Sequence, residues 1–365
     1  MGSLWKRTMT AVVQHYLPIS FAVALTIALA WPYPGQQVVN VTVLDRVHIV
    51  QDLCVGCVFF ISGIVLDTQE LRRVSGSLSA FVFGLASILF LTPCLGFALR
   101  YLPLQPKELC IGLVIFCLVP TTLGVGQALV RTCQGNESVA LLLIITSNML
   151  GVLTMPIWVK FMFVGYDTEG LSLNVDIADL LIHLSLTILA PSVVGKGLQE
   201  GFSRIKAFAK RFRTHLSLLS TSLLALVIWQ TLSGARNTIF QSQYGYILAV
   251  IAIASAVHIF YLIANYYALR LFFKVDMYEA VALFLLSSQK SAPVAVTLIS
   301  YITSDPKVQG LMAVPCITGQ LAQIFIGTLI SPIIAKRVIA WKESQGVVII
   351  EQETSRLDYG SHRTP

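Results

Sequence analysis

Residues Ser287-Ser-Gln-Lys-Ser-Ala-Pro293 interrupt an apolar run that extends from about residue 277 to residue 302. Earlier in the chain, Pro120-Thr-Thr-Leu-Gly-Val-Gly-Gln127 interrupts a second run, 108–131. Each interruption joins a proline to hydroxyls and an amide, residue types that free backbone groups and compete for them. In a bilayer, unwound backbone is tolerated only where it is buried in protein or lines a cavity. A pair of such breaks, at corresponding places in two halves of a chain, is the sequence pointer to a transporter's midplane site. Ordinary proline kinks are the plain alternative. Two breaks in register, with the same polar residue types, favour the site.

The composition sets the surroundings of these breaks. Of 365 residues, 56% are hydrophobic and 12% are charged, where an average soluble domain carries about 25% charged residues. Mean hydropathy is +0.77. A water-soluble enzyme, a disordered chain and a nucleic-acid binder are excluded first. At about 20 apolar residues per crossing, the runs predict ten spans: 17–33, 48–66, 77–101, 108–131, 137–164, 174–198, 214–233, 244–272, 277–302 and 308–338. The expected fold class is an all-α polytopic membrane protein. Residues 1–168 and 169–340 form two five-helix repeats, and 341–365 form a flexible cytosolic tail. Five is odd, so the repeats are inverted. No clean small-residue cleavage site follows the first run, and Trp31 and Tyr33 suit interface anchors, so that run reads as an uncleaved first helix. Seven cysteines, most inside apolar runs, do not make a secreted disulfide framework. Cys54 and Cys57 form a CxxC on a helix beside Phe59 and Phe60, which reads as packing rather than metal or redox chemistry.

The net charge of +7 is a topology signal. With both termini on one side, that side holds 18 of the 25 Lys and Arg residues and the opposite side holds six. The bias places both termini in the cytosol, of the plasma membrane or a secretory-pathway membrane. Asn40-Val-Thr, a glycosylation pattern, then falls in the first external loop. Residues 199–213 are the most basic stretch, and a solvated loop facing lipid headgroups explains them without a specific partner.

One positive charge remains, Lys290, near the centre of the ninth span. A central lysine costs at least ~2.5–3.5 kcal/mol on insertion scales and is a functional hypothesis by default. Three roles fit it: an anion-binding cation, an amine that cycles protons, or a structural cation that satisfies free carbonyls and locks the crossing of the two broken helices. Glu137, which opens the fifth span after Gly135-Asn136, is the nearest partner carboxylate by topology. Ser147 and Asn148 in the fifth span, and Gln320 and Gln323 in the tenth, suit helix–helix hydrogen bonding as well as substrate contact. His258 has no acidic neighbour and reads as a bonded structural histidine. Trp158 and Trp229 read as belt or packing residues.

Several of these stretches resemble a known family. Phe59-Phe-Ile-Ser-Gly-Ile-Val-Leu-Asp-Thr-Gln-Glu-Leu71 is similar to the end of the second helix in the bile acid:sodium symporter superfamily. Pro120-Thr-Thr-Leu, Gly135-Asn136, Ser147-Asn-Met-Leu-Gly151, Ser288-Gln-Lys-Ser291 and the stretch from Pro315 to Pro332 resemble, in order and spacing, the branch of sodium/bile acid cotransporter 7-like and plant sodium/metabolite cotransporters. The resemblance covers roughly residues 10–340. It implies two inverted five-helix repeats, with a panel domain of spans 1, 2, 6 and 7 rocking against a core whose fourth and ninth helices are broken and cross. It also implies an amphipathic organic anion as substrate and sodium as coupling ion, while some members of the branch are associated with intracellular calcium control. The departures are specific. Sodium-coupled relatives carry a Ser-Asn pair where this chain has Gly124-Val-Gly-Gln127, and hydroxyls where it has Ala140 and Ile144. They carry a glutamate where it has Leu285, four residues before Gln289. Hard cations select oxygen ligands, so these losses argue against sodium coupling, and the Lys290 ammonium can stand in electrostatically for the ion.

The expected function is a secondary-active transporter of a small organic or inorganic anion, working by alternating access. Thr121, Thr122, Gln127, Asn136, Glu137, Ser147, Asn148, Ser287, Ser288, Gln289, Lys290, Ser291 and Gln320 are the candidate substrate- or ion-binding residues, with the helix breaks at Pro120 and Pro293. No cofactor is expected, and the coupling ion, sodium or proton, stays open. The partners are a small anionic substrate and the lipid bilayer, not nucleic acid. The alternative is a membrane regulator of intracellular ion (calcium) homeostasis that keeps the fold without transporting. An enzyme is not expected: no two acidic residues lie mid-span for an aspartyl dyad, and no activated serine is signposted.

Overall fold

The computed structural model describes residues 16–39, 41–43, 47–66, 78–122, 124–163, 176–241, 243–303 and 305–345. Asn40, the boundary near residue 168 and the tail beyond residue 345 lie outside the described residues. Apart from a two-residue antiparallel ladder between β1 (Thr42–Val43) and β2 (Val47–His48), the regular structure there is helical. In chain order the helices are α1 (Tyr16–Ala30), α2 (Tyr33–Val39), α3 (Ile49–Val65), α4 (Leu78–Leu99), α5 (Lys107–Leu118), α6 (Gly124–Thr132) and α7 (Glu137–Phe163). There follow α8 (Ile177–Gly201), α9 (Ser203–Arg211), α10 (Arg213–Gln241), α11 (Tyr244–Phe272), α12 (Met277–Ser287), α13 (Ala292–Ile302) and α14 (Pro306–Ser344).

Among the described residues, seven segments are long and apolar enough to cross a membrane: α4, α7, α8, α10, α11, the α12–α13 pair and α14. Residues Ile19–Ala30 of α1, and α3, are shorter apolar helices. The large side chains Phe90, Phe260, Leu271, Phe325 and Leu329 are more than half exposed, an outward apolar face that suits lipid rather than water. The chain is a polytopic, all-α integral membrane protein. Helix α14 runs to Ser344, past the expected start of the tail at residue 341.

Short polar residues set the helix starts. Asp176 accepts from the Ala178 amide, Asp276 from Glu279, and Asp305 from Lys307, each satisfying a donor that the first turn leaves free. Asn136 does the same for α7, through the Ser138 and Val139 amides.

The helices pack in two neighbourhoods. In one, α1 lies on α10, and α3 lies on both α8 and α10. The α3–α8 contact is a backbone approach: a Cβ on Gly63 would stand 2.2 Å from the Ser192 carbonyl oxygen, and one on Gly195 2.3 Å from that of Phe60. In the other, α14 packs on α5, α11 and α13, while α12 packs on α4, α6, α7 and α11. The two neighbourhoods meet along α14 against α10, and where α13 reaches α3, α8 and α10. There the Tyr301 hydroxyl donates to Asp52 of α3 (3.1 Å) and lies 2.9 Å from the Thr187 hydroxyl of α8. Its ring stacks on His183, with centroids 4.7 Å apart.

Candidate functional site at the helix crossing

Helix α5 stops because Pro120 follows Val119. The residue before a proline is pushed into extended backbone, and Val119 has ψ 155°. Helix α12 stops at Ser287, and Ser288 to Ser291 separate it from α13, whose first turn holds Pro293. A proline fits there because the first-turn amide has no partner within the helix.

The two breaks are bonded to each other. The Ser291 amide donates to the Pro120 carbonyl (3.1 Å), and the Thr121 hydroxyl to the Leu286 carbonyl (2.8 Å). Neighbouring helices complete the crossing. Asn148 of α7 donates to the Thr121 carbonyl (3.1 Å). From α14, Gln320 accepts from the Ala292 amide (3.0 Å) and Gln323 from the Lys290 amide (3.1 Å), so two amides at and just before the start of α13 gain partners.

Lys290 lies under this crossing, 1% exposed. Its ammonium donates to the Val119 and Ile88 carbonyls, both at 2.9 Å. Val119 closes α5, where the helix dipole already favours a cation. Ile88 offers its oxygen because α4 widens into a π turn over Ser87–Leu91: the Thr92 amide reaches back to Ser87 and bypasses Ile88. The next carbonyl, Leu89, is freed by Pro93, which has no N–H to give it. It accepts the Trp158 indole N–H of α7 at 2.7 Å. A small cavity with room for about one water adjoins the ammonium, with Phe116, Cys117, His258 and Tyr261 among its walls. The His258 Nδ1–H donates to the Ser288 carbonyl (3.0 Å), while Nε2 has no partner among the described residues. A polar thread continues outward: Ser87 donates to Asn265 (2.6 Å), which donates to the Ser288 hydroxyl (3.1 Å).

A family model matches residues 15–336, that of the SBF-like CPA transporter family. The chain belongs to this family. Its curated relatives include the "probable sodium/metabolite cotransporter BASS4, chloroplastic" of Arabidopsis thaliana, 30% identical over 331 residues, which are 89% of this chain and 73% of that one. Mouse "sodium/bile acid cotransporter 7" is 22% identical over 332 residues, 90% of this chain and 94% of that one. An uncharacterized Pseudomonas aeruginosa protein is 27% identical over 229 residues, 60% and 64% of the two chains. The family is one of transporters, not enzymes.

Within this SBF-like CPA transporter, the candidate residues divide by position. Thr121, Thr122, Asn148, Ser287, Ser288, Gln289, Lys290, Ser291 and Gln320 are all buried at the crossing or on the helices bonded to it. Gln289 is fully buried, and neither amide atom has a partner among the described residues. Ser147 is buried too, but its hydroxyl turns back to the Ile144 carbonyl of its own helix. Gln127 is half-buried on α6, one turn below the break. Asn136 is the α7 cap. Glu137, the expected partner of Lys290, instead pairs with Arg131 at 2.6 Å in a half-exposed contact, because the turn after α6 folds the two side chains together. Backbone oxygens answer the ammonium in its place. Asn265, Ser87 and the π turn were missed. Asn265 and Ser87 are polar residues in apolar runs, and Pro93 was the available signal for the freed carbonyl of Leu89.

Proposed function

We propose that this protein is a secondary-active transporter of a small organic or inorganic anion, working by alternating access, with Lys290 and Leu285 weighing against sodium as the coupling ion. Ten crossings form two inverted repeats, residues 1–168 and 169–340, with both termini cytosolic. Spans 1, 2, 6 and 7 form a panel, and the remaining spans a core that carries the crossed breaks. The packing of α1, α3, α8 and α10 on one another supports the panel, and the Tyr301–Asp52–Thr187 contacts are its closure against the core at one end. Two of the relatives carry the names of a probable sodium/metabolite cotransporter and a sodium/bile acid cotransporter, which supports a small-molecule substrate.

One observation carries the reading of coupling: the Lys290 ammonium is buried between two backbone carbonyls at the crossing, five residues after a buried Leu285 that supplies no carboxylate. A fixed cation there neutralises the α5 end as a bound ion would. The Gln289 amide, without a partner among the described residues, is the group left to meet substrate.

A second reading rests on the same ammonium. Since its carbonyls come from two helices, it serves equally as a permanent pin in a non-transporting regulator of intracellular ion (calcium) homeostasis. Uptake by the purified full-length chain in proteoliposomes separates the two. The transport reading expects flux of at least one labelled carboxylate, sulfonate or inorganic phosphate without a sodium gradient, lost in Lys290→Ala while folding persists. Absence of flux for every anion, with calcium handling still altered in cells, selects the regulator.

A further inference from the structure

Within the 199–213 stretch, expected as a loop, Ser203–Arg211 form helix α9, flanked by the end of α8 at Gly201 and the start of α10 at Arg213. Along it Ile205, Phe208, Ala209 and, just past its end, Phe212 fall at i, i+3, i+4 and i+7, the spacing of a single apolar stripe. Arg204, Lys206, Lys210 and Arg211 fall outside that stripe, on its two flanks. The stripe is only partly used within the protein. α9 packs on α3, α8 and α10, and Ala209 is buried, yet Phe208 and the preceding Phe202 are each more than half exposed. Arg204, Lys210 and Arg211 are exposed. No Asp or Glu occurs between Glu200 and Asp276, and the Glu200 carboxylate lies 3.0 Å from the Lys196 ammonium. The local charge is therefore unbalanced in one direction. Both flanking helices are long and apolar enough to cross the bilayer, so α9 lies where a chain leaving one crossing enters the next, at the headgroup layer.

We propose that Ser203–Arg211 is an anionic-phospholipid site: an in-plane helix that seats Phe208 among the acyl chains and holds headgroup phosphates with Arg204, Lys210 and Arg211. Exposed apolar and basic side chains on one short helix fit a surface that offers hydrocarbon and negative charge side by side. The occupied helix joins α8 to α10, so headgroup charge acts on the panel side of the molecule. The inference rests on α8 and α10 crossing the membrane and does not depend on transport.

The test titrates the full-length, detergent-solubilised chain with phosphatidylglycerol and with phosphatidylcholine and counts bound lipid by native mass spectrometry. Phosphatidylglycerol should bind in preference. The triple variant Arg204→Gln, Lys210→Gln, Arg211→Gln should lose about a hundredfold in that affinity, at roughly fivefold per charge near a membrane surface, with phosphatidylcholine retention unchanged. Arg204→Lys and Arg211→Lys together should keep the binding, since charge rather than fork geometry holds the phosphate. Phe208→Gln, with all charges kept, should lose about tenfold. All the replaced side chains are exposed, and equal thermal midpoints check that each variant is folded. Undiminished phosphatidylglycerol binding in the triple variant overturns the proposal, as does an unaltered affinity in Phe208→Gln. Saturation of the site by inorganic phosphate alone, with lipid excluded, overturns the membrane assignment.

Discussion

Replacing Lys290 by methionine shortens the unbranched side chain by one atom and removes its charge. Two effects of opposite sign follow, and both can be sized. The ammonium donates two hydrogen bonds of 2.9 Å to carbonyls on α4 and α5, and bonds of that kind to a charged group contribute about 1.5–3 kcal/mol each. Their loss costs about 3–6 kcal/mol and leaves two buried oxygens less satisfied. Against this, the membrane no longer holds a central lysine, which relieves about 2.5–3.5 kcal/mol. The difference is a net destabilisation of about 0.5–2.5 kcal/mol, smaller than the bonds alone suggest. Equilibrium unfolding of the purified chain, followed by tryptophan fluorescence in mixed micelles of increasing denaturing detergent, reads this directly. A variant as stable as the parent, or more so, would refute the claim that the ammonium secures the crossing. A loss well beyond about 5 kcal/mol would show that the lysine is far better solvated than its burial implies.

Four further outcomes follow from the same geometry. Gln289→Leu should gain about 1–2 kcal/mol, because it removes a buried amide that has no partner among the described residues, and should abolish uptake; a less stable variant would mean that the amide is satisfied in the membrane. Trp158→Phe should cost about 1 kcal/mol through the Leu89 carbonyl. In a Pro93→Ala background that cost should shrink, since the restored N–H can take the oxygen; additive losses in the double-mutant cycle would contradict this. Gly63→Ala should lower the thermal midpoint by several degrees, because a Cβ would meet the Ser192 backbone at 2.2 Å; an unchanged midpoint would show that α3 and α8 separate freely. Tyr301→Phe removes the hydroxyl that donates to Asp52 and at about 1 kcal/mol should raise the fraction with α13 parted from α3 about fivefold, measured as spin-label distances between those helices. Unaltered distances would remove the hydroxyl from the closure.

Much of the helical frame was legible because hydropathy and proline act locally. Pro120 forces the backbone before it, and apolar runs of twenty residues have few alternatives in a membrane. Lys290 stood out for the same reason, as the charge left over when loops account for the rest. Its partners were not legible, because both are main-chain oxygens. Which carbonyl is free depends on the π turn at Ser87–Leu91, and no side chain there announces it. Glu137 attracted the pairing by charge alone. Arg131, six residues earlier, was closer once the turn after α6 had formed. In α9 the apolar spacing is present in the sequence, but over nine residues it is short and interleaved with four basic side chains, so the pattern by itself does not separate a helix from a solvated loop.

Both acceptors of the Lys290 ammonium being backbone oxygens has a consequence for how the protein can vary. No ordinary side-chain replacement at position 88 or 119 deletes a carbonyl, so those two positions are free to follow packing alone. A carboxylate partner would have tied two codons together, each change demanding another. Here the dependence falls on one lysine and on the residues that shape the main chain, Thr92, Pro93 and Pro120. Genetic lesions that silence the site should therefore cluster at those places and spare the residues whose oxygens the ammonium touches.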